Sequence, residues 1–177
     1  MLISPEYVQQ QKQMHNTYEY GTASLTYAPM VAKVMNQNGV KTLLDYGAGR
    51  MNLLRAISDR KLVDHAFEYI PYEPAHEKHC EPPAPAEMVA CIDVLEHIEP
   101  DCLDAVLDDL KRVTQAIGFF TVATGPAAKL LPDGRNAHLI QEPPEWWLPK
   151  ILARFDLFTF QRTPGGFAVA VVAKDLP

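Results

Sequence analysis

Leu43-Leu44-Asp45-Tyr46-Gly47-Ala48-Gly49 decides how this chain reads. With Thr42 ahead of it, the run is short, mostly apolar and closed by glycine, the pattern of a buried strand entering a tight turn. Leu53, Leu54 and Ile57 then fall at helical spacing. A strand, a Gly-x-Gly turn and a helix in that order open one unit of a parallel α/β sheet. Glycine lets the backbone turn sharply and lets a ligand approach main-chain N–H groups at a helix N-terminus. A plain tight turn has the same glycines, so Gly-x-Gly alone does not separate the two readings.

Working outward, Tyr27, Met30, Val31, Val34 and Met35 recur at helical spacing, and Asn38-Gly39 closes that helix. Residues 5–20 are polar and aromatic with weak periodicity, and read as an arm with a short helix. Downstream, residues 66–72 and 88–94 read as strands ending at Tyr72-Glu73-Pro74 and at Asp93. Leu103, Val106, Leu107, Leu110 and Val113 mark one face of a further helix. Residues 119–123 form another strand, followed by a polar loop at 133–138 and a Trp-rich helix around 145–155. Two β-rich runs around Thr163-Pro164-Gly165-Gly166 make a closing hairpin. The expected fold is a Rossmann-like, open, mostly parallel α/β sheet with helices on both faces and a C-terminal antiparallel β-hairpin. Residues 39–177 would be one domain, and residues 1–38 an N-terminal arm and helix able to serve as a lid.

A chain of 177 residues fits one domain. Its 47% hydrophobic and 21% charged residues exclude a disordered, collagenous or coiled-coil chain. No apolar run approaches the ~20 residues of a membrane span, and the N-terminus lacks a leader pattern, so the expected location is the cytoplasm. Acidic residues outnumber basic ones 22 to 16, for a net charge of −6, which disfavours nucleic acid as a partner. Cys80, Cys91 and Cys102 form no CxxC pair and are expected as reduced thiols.

In such a sheet, ligands bind beyond the carboxyl ends of the strands. Four of those ends carry unusual residues: Asp45 to Arg50, Tyr72-Glu73-Pro74, Asp93 to His97, and the loop from Arg135 to His138. Asp45 repels a diphosphate but suits a ligand ammonium. Met51 and Asn52 stand where a pyrophosphate turn uses a third glycine, so a dinucleotide is disfavoured. Glu73, closing the next strand, can accept hydrogen bonds from two ribose hydroxyls. Alone it would read as a solvated loop glutamate; with the glycine turn and the intervening helix, the ribose role is favoured.

Leu43 to Gly49, Tyr72-Glu73-Pro74-Ala75 and Asp93-Val94-Leu95-Glu96-His97-Ile98 together resemble the class I S-adenosylmethionine-dependent methyltransferase family. The D/E-x-G-x-G signature is matched at Asp45, Gly47 and Gly49, and the resemblance spans roughly residues 40–175. It implies an enzyme that uses S-adenosyl-L-methionine to methylate an acceptor. Asp45, Tyr46, Gly47, Ala48 and Gly49 would hold the methionine moiety. Glu73 and Pro74 would lie at the ribose, and Asp93 and Val94 beside the transferred methyl. The family normally fits a helix and a third strand after the position of Glu73. Here Pro82, Pro83 and Pro85 oppose both elements, so a shortened sheet without that strand is expected, with adenine against the 72–80 loop.

His138 and His97 are the titratable candidates for a catalytic base, and His97 reads equally as a loop anchor. Arg135 and Asn136 are expected at the substrate, with Tyr18 and Tyr20 of the arm closing over the pocket. His76, His79 and Cys80 have zinc-binding side chains but neither the H-E-x-x-H spacing nor a fourth ligand, so no metal is expected. Trp146 and Trp147 read as core plus one exposed ring. The methyl acceptor, whether small molecule, sugar or protein side chain, is not written in these motifs. Two rivals remain: a catalytically silent cofactor-binding module working through a partner protein, and a nicotinamide oxidoreductase. Asp45, the absent third glycine and the closing hairpin count against the second.

Overall fold

A computed structural model of the chain describes residues 1–17 and 21–174. Tyr18 and Tyr20 lie outside the described residues. The elements run α1 (Pro5–Thr17), α2 (Ala23–Asn38), β1 (Thr42–Tyr46), α3 (Asn52–Asp59), β2 (Glu68–Tyr72) and β3 (Ala86–Ile92). They continue with α4 (Leu103–Val113), β4 (Thr114–Ala123), α5 (Pro144–Leu152), β5 (Phe155–Thr163) and β6 (Gly166–Ala173). One six-stranded sheet has the order β2-β1-β3-β4-β6-β5. β1 pairs parallel with β2 and β3, and β3 parallel with β4, while β6 runs antiparallel to β4 and β5. The expected α/β sheet with its closing hairpin is the fold of this chain.

Side chains alternate along each strand, and each alternate set meets a different helix pair. Leu43, Met88, Ala90 and Phe119 pack with Val31 and Met35 of α2 and with Leu53 and Ile57 of α3. Leu44, Val89, Cys91 and Phe120 pack on the other face with Leu103, Val106, Leu107 and Leu110 of α4 and Trp147 of α5. Both faces are thereby covered, which is why β1 and β3 read as nearly continuous apolar runs. Trp147 is fully buried, whereas Trp146 keeps a partly exposed ring under the Lys150 ammonium, 4.3 Å from its centroid. No helix of the described residues is long and apolar enough to cross a membrane.

No strand or helix forms between β2 and β3. β2 is consequently an edge strand, and Pro71 sits within it opposite Asp45. Proline lacks the N–H that a further ladder would need and is tolerated at an edge. β4 begins at Thr114 rather than at Phe119, because Thr114, Ile117 and Gly118 already pair with β3. The polar Gln115 and the flexible Gly118 hide that start in the sequence. At Gly118 the ring of Phe120 leaves no room for a Cβ.

Candidate functional site

From β1 the chain goes to β2 on one side, and β3 lies on the other. The crevice at such a switch point is where open α/β sheets take their ligands. A cavity of about 370 Å³ lies there, lined by Gly47, Glu73, Asp93, Val94, His97 and His138 among others. Three of the four singled-out strand ends, and two residues of the Arg135 to His138 loop, Ala137 and His138, thus reach one space.

The β1–α3 turn is built on left-handed residues: Gly47 at φ 82, Gly49 at φ 50 and Met51 at φ 55. Met51 adopts the conformation that a third glycine would supply, at a cost of about 1 kcal/mol. Gly47 and Ala48 donate their N–H groups to the Tyr72 carbonyl at 2.8 and 2.9 Å. The Gly49 N–H goes to Glu73 Oε2 at 3.1 Å. The turn's first amides are therefore held by the chain itself rather than offered to a ligand. What Gly47 contributes is its bare Cα, since a Cβ there would run into Val94 Cγ2.

Glu73 is buried and lines the cavity. Its second oxygen, Oε1, accepts the Ala75 N–H at 3.1 Å. Each oxygen keeps a further lone pair for a hydroxyl. Asp45 sits behind the cavity wall, fully buried, and accepts the Tyr69 hydroxyl. Burial pushes its carboxyl up to about 7, against the lowering effect of that hydrogen bond. Tyr46 lines the cavity with its hydroxyl donated to Asp109 Oδ2 at 2.9 Å. Burial, then the Asp109 charge, raise that phenol well above its ordinary value. Pro74 also lines the cavity, while Ala48 and Gly49 do not.

At the other end, the rings of His97 and His138 meet edge to face, with centroids 4.8 Å apart. Each holds a backbone carbonyl through Nδ1: Ala137 for His97 and Gly125 for His138, both at 2.7 Å. A carbonyl only accepts, so both rings carry the proton on Nδ1 and the lone pair on Nε2. Burial brings His97 down to about 4, keeping it neutral at pH 7. Asp93, at φ 59, donates its N–H to Thr121 Oγ1 at 3.0 Å.

Arg135 and Asn136, expected at the substrate, do not line the cavity. Arg135 is half-exposed and ion-paired with Asp133 at 2.7 Å, which holds that carboxyl at about 2. Asn136 closes its amide onto Ala127, donating to the carbonyl and accepting the N–H, both at 2.9 Å. It also accepts the His138 N–H at 2.9 Å. Their role in this arrangement is to brace the loop that carries His138. A short-range partner satisfied each polar group before the cavity was reached.

The sequence puts the arm over the pocket through Tyr18 and Tyr20, but singles out none of the α1 residues that reach the cavity. Tyr7, Gln11 and Met14 form a wall of the cavity. Tyr7 donates its hydroxyl to the His97 carbonyl at 2.7 Å, and Ser4 gives its N–H and Oγ–H to the Glu99 carboxylate, each at 2.8 Å. The apolar spacing of Tyr7 and Met14, one face two turns apart, was the available signal.

No protein-family model matches this sequence, and no curated protein matches it. Solved structures do. A 1,6-didemethyltoxoflavin-N1-methyltransferase of Burkholderia thailandensis, solved with 1,6-didemethyltoxoflavin and S-adenosylhomocysteine, is 16% identical with a TM-score of 0.66, over 99% of this chain and 92% of that one. DhpI, in complex with SAH, is 15% identical with a TM-score of 0.59, over 96% and 97%. A SAM-dependent methyltransferase of Aquifex aeolicus is 17% identical with a TM-score of 0.56, over 97% and 99%. At these identities the likeness is one of fold, and the fold is that of the class I methyltransferases.

Proposed function

We propose that this chain is an S-adenosyl-L-methionine-dependent methyltransferase acting on an acceptor outside the nucleic acids: a small molecule, a sugar or a protein side chain. The observation that carries the reading is the meeting of Gly47, Glu73 and Asp93-Val94 in one switch-point cavity. Its volume of about 370 Å³ falls within the range of small-molecule sites. The donor set fits the cofactor: Glu73 offers lone pairs to ribose hydroxyls, and Gly47 presents no side chain where the ligand must pass close. Pro74, at the cavity wall, supplies apolar surface for adenine where the 72–80 loop begins. The buried Asp45 carboxyl, with Tyr46, Ala48 and Gly49, backs the end where an ammonium would sit.

When bound, the cofactor supplies a methyl group on a positively charged sulfur, so alignment of an acceptor can provide much of the acceleration. The α1 wall and the His138 loop enclose the acceptor end and limit water. His138 and His97 stand there with their lone pairs on Nε2, the groups from which uptake of the acceptor's proton is expected. Arg135 and Asn136 act on substrate through the loop they brace. The test is calorimetric titration with S-adenosylmethionine, S-adenosylhomocysteine and NAD in parallel. Micromolar binding of the adenosyl ligands with NAD silent supports the reading. Absence of adenosyl binding overturns it.

A further inference from the structure

Asp93, His97 and His138 bring their ligand atoms within 4.8 Å of one another at the cavity wall. Glu96 stands beside them, its carboxylate within hydrogen-bonding reach of Asp93. Glu96 is fully buried; its Oε1 accepts the Ala123 N–H at 2.6 Å, and its Oε2 has no hydrogen-bond partner among the described residues. The half-buried Asp93 carboxylate repels the fully buried Glu96 beside it, and a buried oxygen without a donor is a group that needs one. A cation between them answers both needs.

We propose that Asp93, His97 and His138, with Glu96 behind them, form a binding site for one divalent cation of the first transition row. The imidazoles are prepared for it. Each gives its Nδ1–H to a backbone carbonyl, the outer hydrogen bond that orients metal-ligating histidines and leaves Nε2 as the ligand atom. Metal bonds of about 2.1 Å hold their ligands about 3–4 Å apart, so closing on a cation asks for movements under about 1 Å. The mixed nitrogen and oxygen set suits Mn²⁺, Fe²⁺ or Zn²⁺, whereas Ca²⁺ and Mg²⁺ prefer oxygen alone. Three of the four groups line the cavity and Glu96 does not, so the cation would sit at the cavity wall, reachable by a ligand.

This deepens the reading above without depending on it for the binding itself. If methyl transfer is the activity, a cation held there would bind the acceptor and lower its pKa, in place of the proton uptake assigned above to the two Nε2 atoms.

The experiment is calorimetric titration of the purified full chain, stripped with a chelator, with MnCl₂ and with ZnCl₂. One cation per chain is expected, with affinity falling on the order of 100-fold in Asp93→Asn and in His138→Ala. Far-UV circular dichroism and Tm without metal report whether each variant is folded. Should His138→Ala not fold, Asp93→Asn and Glu96→Gln carry the same comparison. The double variant His76→Ala, His79→Ala alters a stacked imidazole pair elsewhere on the chain and should bind as the parent does. Absence of stoichiometric binding, or binding that survives in the folded variants, overturns the proposal. Titration of the metal-free chain with S-adenosylhomocysteine separates the two readings. Cation binding without adenosyl binding defeats only the methyltransferase reading, and the converse defeats only this one.

Discussion

Glu73 and Gly49 lie 24 residues apart in the chain, and their carboxylate oxygen and amide nitrogen are 3.1 Å apart in space. The other Glu73 oxygen holds the Ala75 N–H. One side chain thus ties the β1–α3 turn to the loop after β2, so the cavity lining and the loop geometry share a residue.

Glu73→Ala removes both ties and leaves two amides without their acceptor. A loss of about 1–3 kcal/mol in stability is expected. Affinity for S-adenosylhomocysteine should fall at least about tenfold, because the ribose acceptor and the turn position go together. Urea unfolding and calorimetry measure the two effects; unchanged affinity in a folded variant would remove Glu73 from the binding site.

Gly47→Ala forces a side chain into φ 82 and into Val94 Cγ2. Both the backbone and the Val94 loop must then shift. Stability should drop by about 1–3 kcal/mol, with adenosyl-ligand binding lost. Val94→Ala in the same chain opens the space and should restore part of the Tm. No restoration would mean that the conformational cost alone accounts for the effect.

Asp45 makes stability depend on pH. Its carboxyl titrates near 7 in the folded chain against 3.8 for the ordinary group. A raised acid favours the folded state below the unfolded value, and that contribution is lost as pH rises through the folded one. Relative to Asp45→Asn, which can still accept the Tyr69 hydroxyl, the parent should match in stability near pH 4. It should fall behind up to pH 8, by about 4 kcal/mol at most. Parallel urea curves at the two pH values decide it; a constant gap would place the titration elsewhere.

Tyr7→Phe keeps the buried ring and deletes the hydrogen bond to the His97 carbonyl. About 1 kcal/mol of stability should go with it. Amide exchange along α1 should quicken while that of β3 stays slow, since only the docking of α1 is weakened. Uniform quickening would show that α1 does not open separately.

Much of the fold could be read from local pattern. Leu43-Leu44 ahead of Gly47, the helical spacing from Leu103 to Val113, and the Pro164-Gly165 turn each specify an element through neighbours in sequence. Pro82, Pro83 and Pro85 speak against a further strand for the same reason, because proline acts on its own backbone. β4 was shortened in the reading because Gln115 and Gly118 carry no strand signal, and pairing with β3 decides their state.

The cavity lining divides differently. Gly47, Glu73, Asp93 and Val94 reach the cavity from strand ends, whose place in a parallel sheet is fixed. Arg135 and Asn136 do not line the cavity, because residue type says nothing of which partner a side chain takes first, and Asp133 and Ala127 hold them.

By itself, the sequence determined the elements, their alternation and the sheet edge at which the cavity lies, since periodicity, turns and prolines act over a few residues. Only the tertiary structure decided that α1 walls the cavity and that His97 and His138 meet beside Asp93. Those contacts join residues far apart in the chain, and they exist because packing two helices and two loops over one sheet edge leaves them no other place to go.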